Sequence, residues 1–191
     1  RFFISGGAPL AKEIAEFFYS AGIIILEGYG LTETSPVISA NTLEYFKFGT
    51  VGRPLPGVEV KIADDGEILT KGPHLMKGYY NKPEQTNEVL KEGWFYTGDI
   101  GSMDNEGFLT ITDRKKEIIV TSGGKNVAPQ YLENLLKSDR YINQVMIYGD
   151  KRKYLTALIV PNFDNLKRYA RYKKIVYNQI SDLIKQAQIL N

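Results

Sequence analysis

Residues 92–129, EGWFYTGDIGSMDNEGFLTITDRKKEIIVTSGGKNVAP, constrain this chain more than any other stretch. Tyr96-Thr97-Gly98-Asp99 sets a carboxylate behind a glycine, at the end of an aromatic run that reads as a strand. Asp113-Arg114-Lys115-Lys116 is a charged break between two strand-like segments, and Ser122-Gly123-Gly124-Lys125 is a donor-rich loop that ends in a cation. A carboxylate on a rigid strand end suits a diol such as a ribose, because it accepts a hydrogen bond from each hydroxyl. Paired glycines let a ligand approach the backbone closely. The same residues also admit a purely structural reading: a β-hairpin of 108–112 and 117–121 with a salted turn and a glycine-rich end.

Composition narrows the class. A chain of 191 residues holds one large domain or two small ones. Its 43% hydrophobic share is ordinary for a globular protein with a core, and no apolar run approaches the roughly 20 residues that cross a bilayer. The opening Arg1-Phe2-Phe3-Ile4-Ser5 reads as the middle of a domain and not as a secretion signal. With no cysteine, disulfides and thiolate metal sites are excluded, which fits a reducing compartment. The expected location is cytoplasmic, with peripheral membrane association as a secondary expectation. The single histidine, His74, has no acidic partner at catalytic spacing and reads as structural. From Asp150 onward nine Lys and Arg face three acids, a local charge of +6 against −4 for the remainder. Such a basic end attracts phosphates or anionic lipid, although a solvated helix face explains it as well. No nucleic-acid partner is expected, and the oligomeric state is left open.

Taken in order, residues 1–5 read as a buried strand running into Gly6-Gly7-Ala8-Pro9, with Pro9 as a first helical residue. Leu10, Ile14, Phe17, Phe18 and Ala21 recur at helical spacing, Gly22 stops the helix, and 23–26 is a β-branched strand. A strand–helix–strand unit predicts a parallel pair, with ligands at the carboxyl ends of the strands. The loop expected there is Glu27-Gly28-Tyr29-Gly30-Leu31-Thr32-Glu33-Thr34. An aromatic between glycines offers a ring face to a base, a hydroxyl three residues on suits a phosphate, and the next carboxylate suits Mg²⁺. Residues 42–112 change character. A hairpin is expected over 58–70 about Asp64-Asp65-Gly66, then strands punctuated by Lys71-Gly72-Pro73 and Asn81-Lys82-Pro83, and a short helix over 83–90. Together they predict a β-barrel-like subdomain. Beyond Lys116, a helix over 129–137 turns Leu132, Leu135 and Leu136 inward. Strands follow over 142–148 and 155–160, then helices near 164–172 and 175–190.

Three patterns, YG-x-TE at 29–33, GW-x-x-TGD at 93–99 and DRKK at 113–116 before a glycine loop, together resemble the AMP-forming acyl-CoA synthetases of the adenylate-forming superfamily. Residues 121–136, TSGGKNVAPQYLENLL, and Val160-Pro161-Asn162 look most like its long-chain fatty acid–CoA ligase branch. The resemblance implies a mixed α/β and α+β chain. Residues 1–112 would end a large adenylating domain, with the β-rich part at about 42–112. Residues 113–116 would be a hinge, and 117–191 a truncated small C-terminal domain.

What the resemblance implies chemically is a fatty acid activated by ATP to acyl-AMP with release of pyrophosphate, then transfer to coenzyme A with release of AMP. Tyr29 would stack on the adenine, with Gly7, Ala8 and Pro9 on its other side, and Gly30 would belong to the same nucleotide-binding segment. Thr32 would contact the α-phosphate and Glu33 would hold Mg²⁺. Asp99 and Arg114 would clamp the ribose, and Ile111 would line the nucleotide site. Lys116 would be the pivot, and Gly123, Gly124 and Lys125 would serve the pantetheine of coenzyme A. Met76-Lys77-Gly78-Tyr79-Tyr80 resembles a segment expected to act only as scaffold. The family's Ser/Thr/Gly-rich phosphate loop and its catalytic lysine have no match here, and Lys185 stands too early to replace the lysine. The 191-residue chain alone is therefore expected to be inactive. Two other readings stay open: an acyl-AMP or carrier-protein-loading adenylation enzyme, and a non-catalytic nucleotide-binding or membrane-docking module.

Overall fold

Phe2–Ser5 (β1) and Ile24–Gly30 (β2) pair in parallel, from Phe2 opposite Ile24 to Ser5 opposite Glu27, with helix α1 (Lys12–Ser20) as the crossover. A parallel pair requires such a crossover, because a tight turn would bring the second strand back antiparallel. The computed structural model describes residues 2–176, and the chain divides into two units, Arg1–Glu117 and Ile118–Asn191. The helix near 175–190 expected from the sequence lies outside the described residues, apart from its first two positions, which are not helical. No helix among the described residues is long and apolar enough to cross a membrane.

In the first unit, α1 starts at Lys12 and not at Pro9. Ala11 stays extended and its carbonyl accepts the Ile14 and Ala15 N–H groups, so Pro9 belongs to the preceding loop. Of the apolar residues expected to mark one face, Ile14, Phe17 and Phe18 are exposed, and Ala15 is the buried residue of the helix. Antiparallel strands β3 (Val37–Ala40) and β4 (Arg53–Pro54) complete a sheet of order β1-β2-β3-β4. Residues 27–30, expected to loop, are instead the second half of β2. Gly28 stands opposite Ala40 and Tyr29 opposite Ser39, and these pairings keep the segment extended. Gly30 allows the two strands to approach, since a Cβ there would fall 1.7 Å from the Pro36 carbonyl oxygen.

The second sheet contains β5 (Glu59–Ile62), β6 (Glu67–Lys71), β7 (Leu90–Lys91), β8 (Trp94–Met103) and β9 (Leu109–Arg114), with α2 (Pro83–Val89) before β7. Its order is β5-β6-β8-β7, and β9 pairs with the later part of β8. The sheet is open, which corrects the expected barrel-like subdomain: among the described residues no pairing joins β5 to β7 or β9. The ten residues of β8 explain this, because they are long enough for β7 and β9 to occupy successive lengths of it. Residues 72–82 form no strand, against expectation. The hairpin of 108–112 with 117–121 does not form either, since β9 takes β8 as its partner. Asp113 and Arg114 lie opposite Ile100 and Asp99, so half of the expected break at 113–116 is paired strand.

Tyr29, Ile38, Ile68 and Leu109 form the core cluster of this unit. Main-chain bonds tie the sheets together beside it: Val51 N–H donates to the Leu109 carbonyl (2.8 Å) and Leu109 N–H to that of Gly52 (2.9 Å). His74 Nε2 lies 3.0 Å from the Thr70 hydroxyl, and burial lowers the pKa of the ring.

In the second unit, β10 (Ile119–Val120) and β11 (Asn126–Val127) make a small hairpin. Helix α3 (Pro129–Lys137) then packs on β12 (Ile142–Tyr148), which pairs antiparallel with β13 (Thr156–Pro161). Glu133 on α3 accepts the Ile147 N–H at 2.8 Å. Leu132 and Leu136, one turn apart, are partly buried, whereas Leu135, expected inward, is exposed. Asn162 caps α4 (Phe163–Lys173) by accepting the Asn165 N–H at 3.1 Å.

Leu109 is 0% exposed and its backbone bridges both sheets. Leu109→Ala is expected to destabilise the first unit by about 2–5 kcal/mol through transfer and cavity terms. Urea denaturation of the variant against the parent chain measures it.

Candidate functional site

Three strands bring Tyr29, Asp99 and Arg114 together. Tyr29 on β2 is 8% exposed, its ring packed in the core cluster, and its hydroxyl donates to Asp99 Oδ2 at 2.7 Å. From β9, Arg114 Nε donates to Asp99 Oδ1 at 3.1 Å, with most of the arginine side chain open to solvent. Asp99 is 3% exposed. Burial raises its pKa, while the Tyr29 hydroxyl and the Arg114 guanidinium work in the opposite direction. Each carboxylate oxygen so used keeps a second lone pair. The carboxylate is therefore a fixed acceptor with a lone pair on each oxygen that neither Tyr29 nor Arg114 engages. Gly98, just before it, has φ +72°, a left-handed residue where β8 loses register with β6, while Asp99 itself stays paired with Arg114 of β9.

One turn further along the chain from Tyr29, Thr32–Thr34 forms a short 3₁₀ segment. Its anchor is Thr34, which is fully buried; the hydroxyl accepts the Leu31 N–H (2.9 Å) and donates to the Pro36 carbonyl (2.7 Å). This leaves Thr32 exposed and Glu33 half-buried beside it. Glu33 Oε1 accepts the Tyr79 hydroxyl at 2.9 Å, and the Glu33 carbonyl accepts the Met76 N–H at 2.8 Å. Both Tyr79 and Met76 come from the segment that sequence reasoning treated as mere scaffold. Their tie to Glu33 spans 46 positions for the tyrosine, so no local pattern announces it.

The remaining candidate residues fall elsewhere. Gly7, Ala8 and Pro9 are exposed at the carboxyl end of β1, next to the Glu27–Gly30 half of β2, where burial raises the pKa of Glu27 and the Leu10 backbone works against that rise. Ile111 packs against the core cluster from β9, opposite Gly101. The Lys116 side chain makes no hydrogen bond or ion pair within the described residues, in contrast to Lys115, which binds Asp65 and Glu67. In the second unit, Gly123, Gly124 and Lys125 are the exposed tip between β10 and β11, where Gly124 N–H donates to the Thr121 carbonyl at 2.8 Å. Beside that tip, Ser122 N–H donates to the Arg152 carbonyl at 2.9 Å, which joins it to the basic turn Lys151-Arg152-Lys153. Among the described residues there is no group of three or more His, Cys, Asp or Glu able to hold a metal by itself.

Comparison with known proteins gives a consistent picture. Residues 1–80 match a family described as AMP-binding enzyme, and residues 116–189 match one described as AMP-binding enzyme C-terminal domain. A long-chain-fatty-acid–CoA ligase, FadD15 of Mycobacterium bovis, is 49% identical over 82% of this chain and 26% of its own length. A chloroplastic long-chain-fatty-acid–[acyl-carrier-protein] ligase, AEE15 of Arabidopsis thaliana, is 38% identical over 93% of this chain and 28% of its own. Among solved structures, O-succinylbenzoate coenzyme A synthetase of Bacillus subtilis in complex with ATP and magnesium superposes with a TM-score of 0.76 at 32% identity. That match covers 93% of this chain and 40% of the other. The chain thus spans under a third of the length of these two curated relatives.

Removing the Tyr29 hydroxyl should be felt at Asp99. Tyr29→Phe takes away a donor that lowers the Asp99 pKa, so the variant's Asp99 is expected to titrate still higher. A buried charged acceptor deprived of a partner costs about 1–3 kcal/mol at neutral pH. That cost is present while Asp99 is ionised and shrinks as pH falls through its raised folded pKa, because a protonated carboxyl needs no such donor. Carboxyl-carbon NMR titration and urea denaturation at neutral and acid pH check both parts.

Proposed function

We propose, on the premise that this chain belongs to the AMP-binding enzyme family, that it is the ribose-binding and C-terminal segment of a long-chain fatty acid–CoA ligase. The observation that carries the reading is the convergence of Tyr29, Asp99 and Arg114 from three strands on one buried carboxylate. Asp99 accepts the ribose hydroxyls of ATP or AMP with its spare lone pairs, while Arg114 holds it charged from the solvent side. The edge of Tyr29 and the loop of Gly7, Ala8 and Pro9 flank the base, with Gly30 keeping the backbone close and Ile111 backing the site.

Thr32 and Glu33 stand side by side on their turn and serve the α-phosphate. Tyr79 occupies one oxygen of Glu33, so the other is available to a cation. With no cluster of protein ligands among the described residues, Glu33 fits Mg²⁺ that takes the rest of its ligands from phosphate and water. When bound, Mg²⁺ supplies charge neutralisation at the phosphate oxygens. In the second unit, the Gly123–Gly124–Lys125 tip receives the pantetheine arm, and Lys151, Arg152 and Lys153 beside it meet the phosphates of coenzyme A. The identity to FadD15 supports a long-chain fatty acid as the substrate, and peripheral membrane association is secondary. The similarity to AEE15 favours one alternative, a carrier-protein thiol in place of coenzyme A. Supplying a full-length enzyme that carries this segment with fatty acid, ATP and either thiol, and measuring AMP release, separates the two. Release with neither thiol nor fatty acid dependence overturns both.

Two substitutions in such a full-length enzyme test the roles. Asp99→Ala is expected to weaken ATP binding by roughly ten- to a hundred-fold, the worth of hydrogen bonds to a charged acceptor, with the fatty-acid KM unchanged. An unchanged ATP affinity removes Asp99 from the ribose site. Lys116 is the proposed pivot: Lys115 is anchored by two carboxylates, and Lys116 is the next residue without a side-chain partner. Proline there fixes φ near −65° and removes an N–H. Lys116→Pro is expected to leave acyl-adenylate formation within about tenfold while abolishing thioester formation, since only the second step needs the C-terminal unit reoriented. Rapid-mixing measurements of each step, with a melting curve as control, decide it; equal loss of both rates with a lowered Tm means a static turn.

A further inference from the structure

Glu67 buries a carboxylate in the middle of a sheet, 4% exposed, and no role assigned so far uses it. The register between β6 and β8 shows why it is there. Glu67 stands opposite Ile100 and Leu69 opposite Tyr96, so one residue of β6 faces three of β8, namely Thr97, Gly98 and Asp99. Such a bulge leaves main-chain groups without ladder partners, and an unpaired buried N–H is costly. The structure supplies substitutes for four of them. Thr97 donates its hydroxyl to the Ile68 carbonyl (2.7 Å) and with the same oxygen accepts the Asp99 N–H (3.1 Å). The Gly98 carbonyl accepts the Lys115 N–H at 2.8 Å. The Gly98 N–H goes to Glu67 Oε1 at 2.9 Å, and the other oxygen, Oε2, takes the Lys115 ammonium at 2.7 Å. Lys115 also pairs with Asp65 at 2.6 Å, and its pKa is pushed up to about 12 by the two carboxylates.

We infer that Glu67 is a positioning residue for nucleotide recognition: its carboxylate, joined to Gly98 N–H and to Lys115, fixes the direction in which Asp99 meets a ribose diol. The inference rests on the nucleotide reading above. Glu67 does not touch the ligand; it sets the turn immediately before Asp99 and, through Lys115, the end of the strand that carries Arg114. A glutamine in its place has the same shape but cannot accept on both sides. Whichever way the amide is turned, its NH₂ group confronts either the Gly98 N–H or the Lys115 ammonium.

The test compares AMP with 2′,3′-dideoxy-AMP, measured by calorimetry on the 191-residue chain and on its variants. With Asp99 in place, AMP is expected to bind roughly ten- to a hundred-fold more tightly than the dideoxy compound. Glu67→Gln is expected to reduce that preference to within about threefold, since small misplacement of an orienting group forfeits most of its effect, and to leave dideoxy-AMP affinity unchanged. Lys115→Met, at a partly exposed position, should lower the preference in the same direction and serves if the first variant does not fold. Equal weakening of both ligands means that Glu67 only holds the fold together, and overturns the inference. So does an unaltered preference in both variants while Asp99→Ala abolishes it, which leaves the ribose reading standing. If the unmodified chain shows no preference at all, the ribose reading fails and the role of Glu67 fails with it.

Discussion

A carboxylate as thoroughly enclosed as Asp99 is tolerable only with partners, and the first unit is arranged to deliver them. Its donors come from positions 29 and 114, on strands of two different sheets. The Tyr29 ring is at the same time a member of the core cluster, so the hydroxyl that reaches Asp99 is held by the packing that holds the sheets together. Stability and site geometry are therefore one problem here. The raised pKa of Asp99 records the remaining tension, because burial works against the charge that the donors favour.

Backbone irregularity carries much of the rest. The excess residues of β8 at Thr97–Asp99 would be a defect in a uniform sheet, yet the Gly98 N–H and carbonyl, the Asp99 N–H and the Ile68 carbonyl all have partners. Two of those partners, Glu67 and Lys115, are charged and compensate each other, which is how a buried carboxylate can serve as a main-chain acceptor. The Thr32–Thr34 turn follows the same logic on a smaller scale: a buried hydroxyl closes it, and a tyrosine from a distant segment steadies the carboxylate it presents.

The second unit is built more simply. Its helix α3 packs on a two-stranded antiparallel sheet, and the hairpin that carries the glycine tip is fastened to the basic turn by the Ser122 N–H to the Arg152 carbonyl and the Lys151 N–H to the Val120 carbonyl. Nothing within 4 Å would meet a Cβ at Gly123 or Gly124, so these glycines are not demanded by packing at the tip. For Gly124 the φ of +77° suffices as a reason, and for Gly123 the proposed approach of a ligand is the reason that fits.

By itself the sequence determined the elements whose signals are local: the strand–helix–strand opening, the 59–71 hairpin, the helix at 129–137 and the order of the three motifs. Periodicity and turn chemistry act over a few residues, and these segments obey them. It also carried the family, because motif order and spacing survive without any knowledge of contacts. Only the tertiary structure decided that residues 27–30 are strand, since cross-strand pairing with 37–40 outweighs the turn preference of two glycines. It decided likewise that the sheet stays open and that β9 pairs with β8, because strand partnership depends on which edges remain free. The roles of Tyr79, Thr34 and Glu67 were equally illegible. Two of their bonds join residues 46 and 31 positions apart, and the third follows from a local hydroxyl whose burial depends on the fold around it.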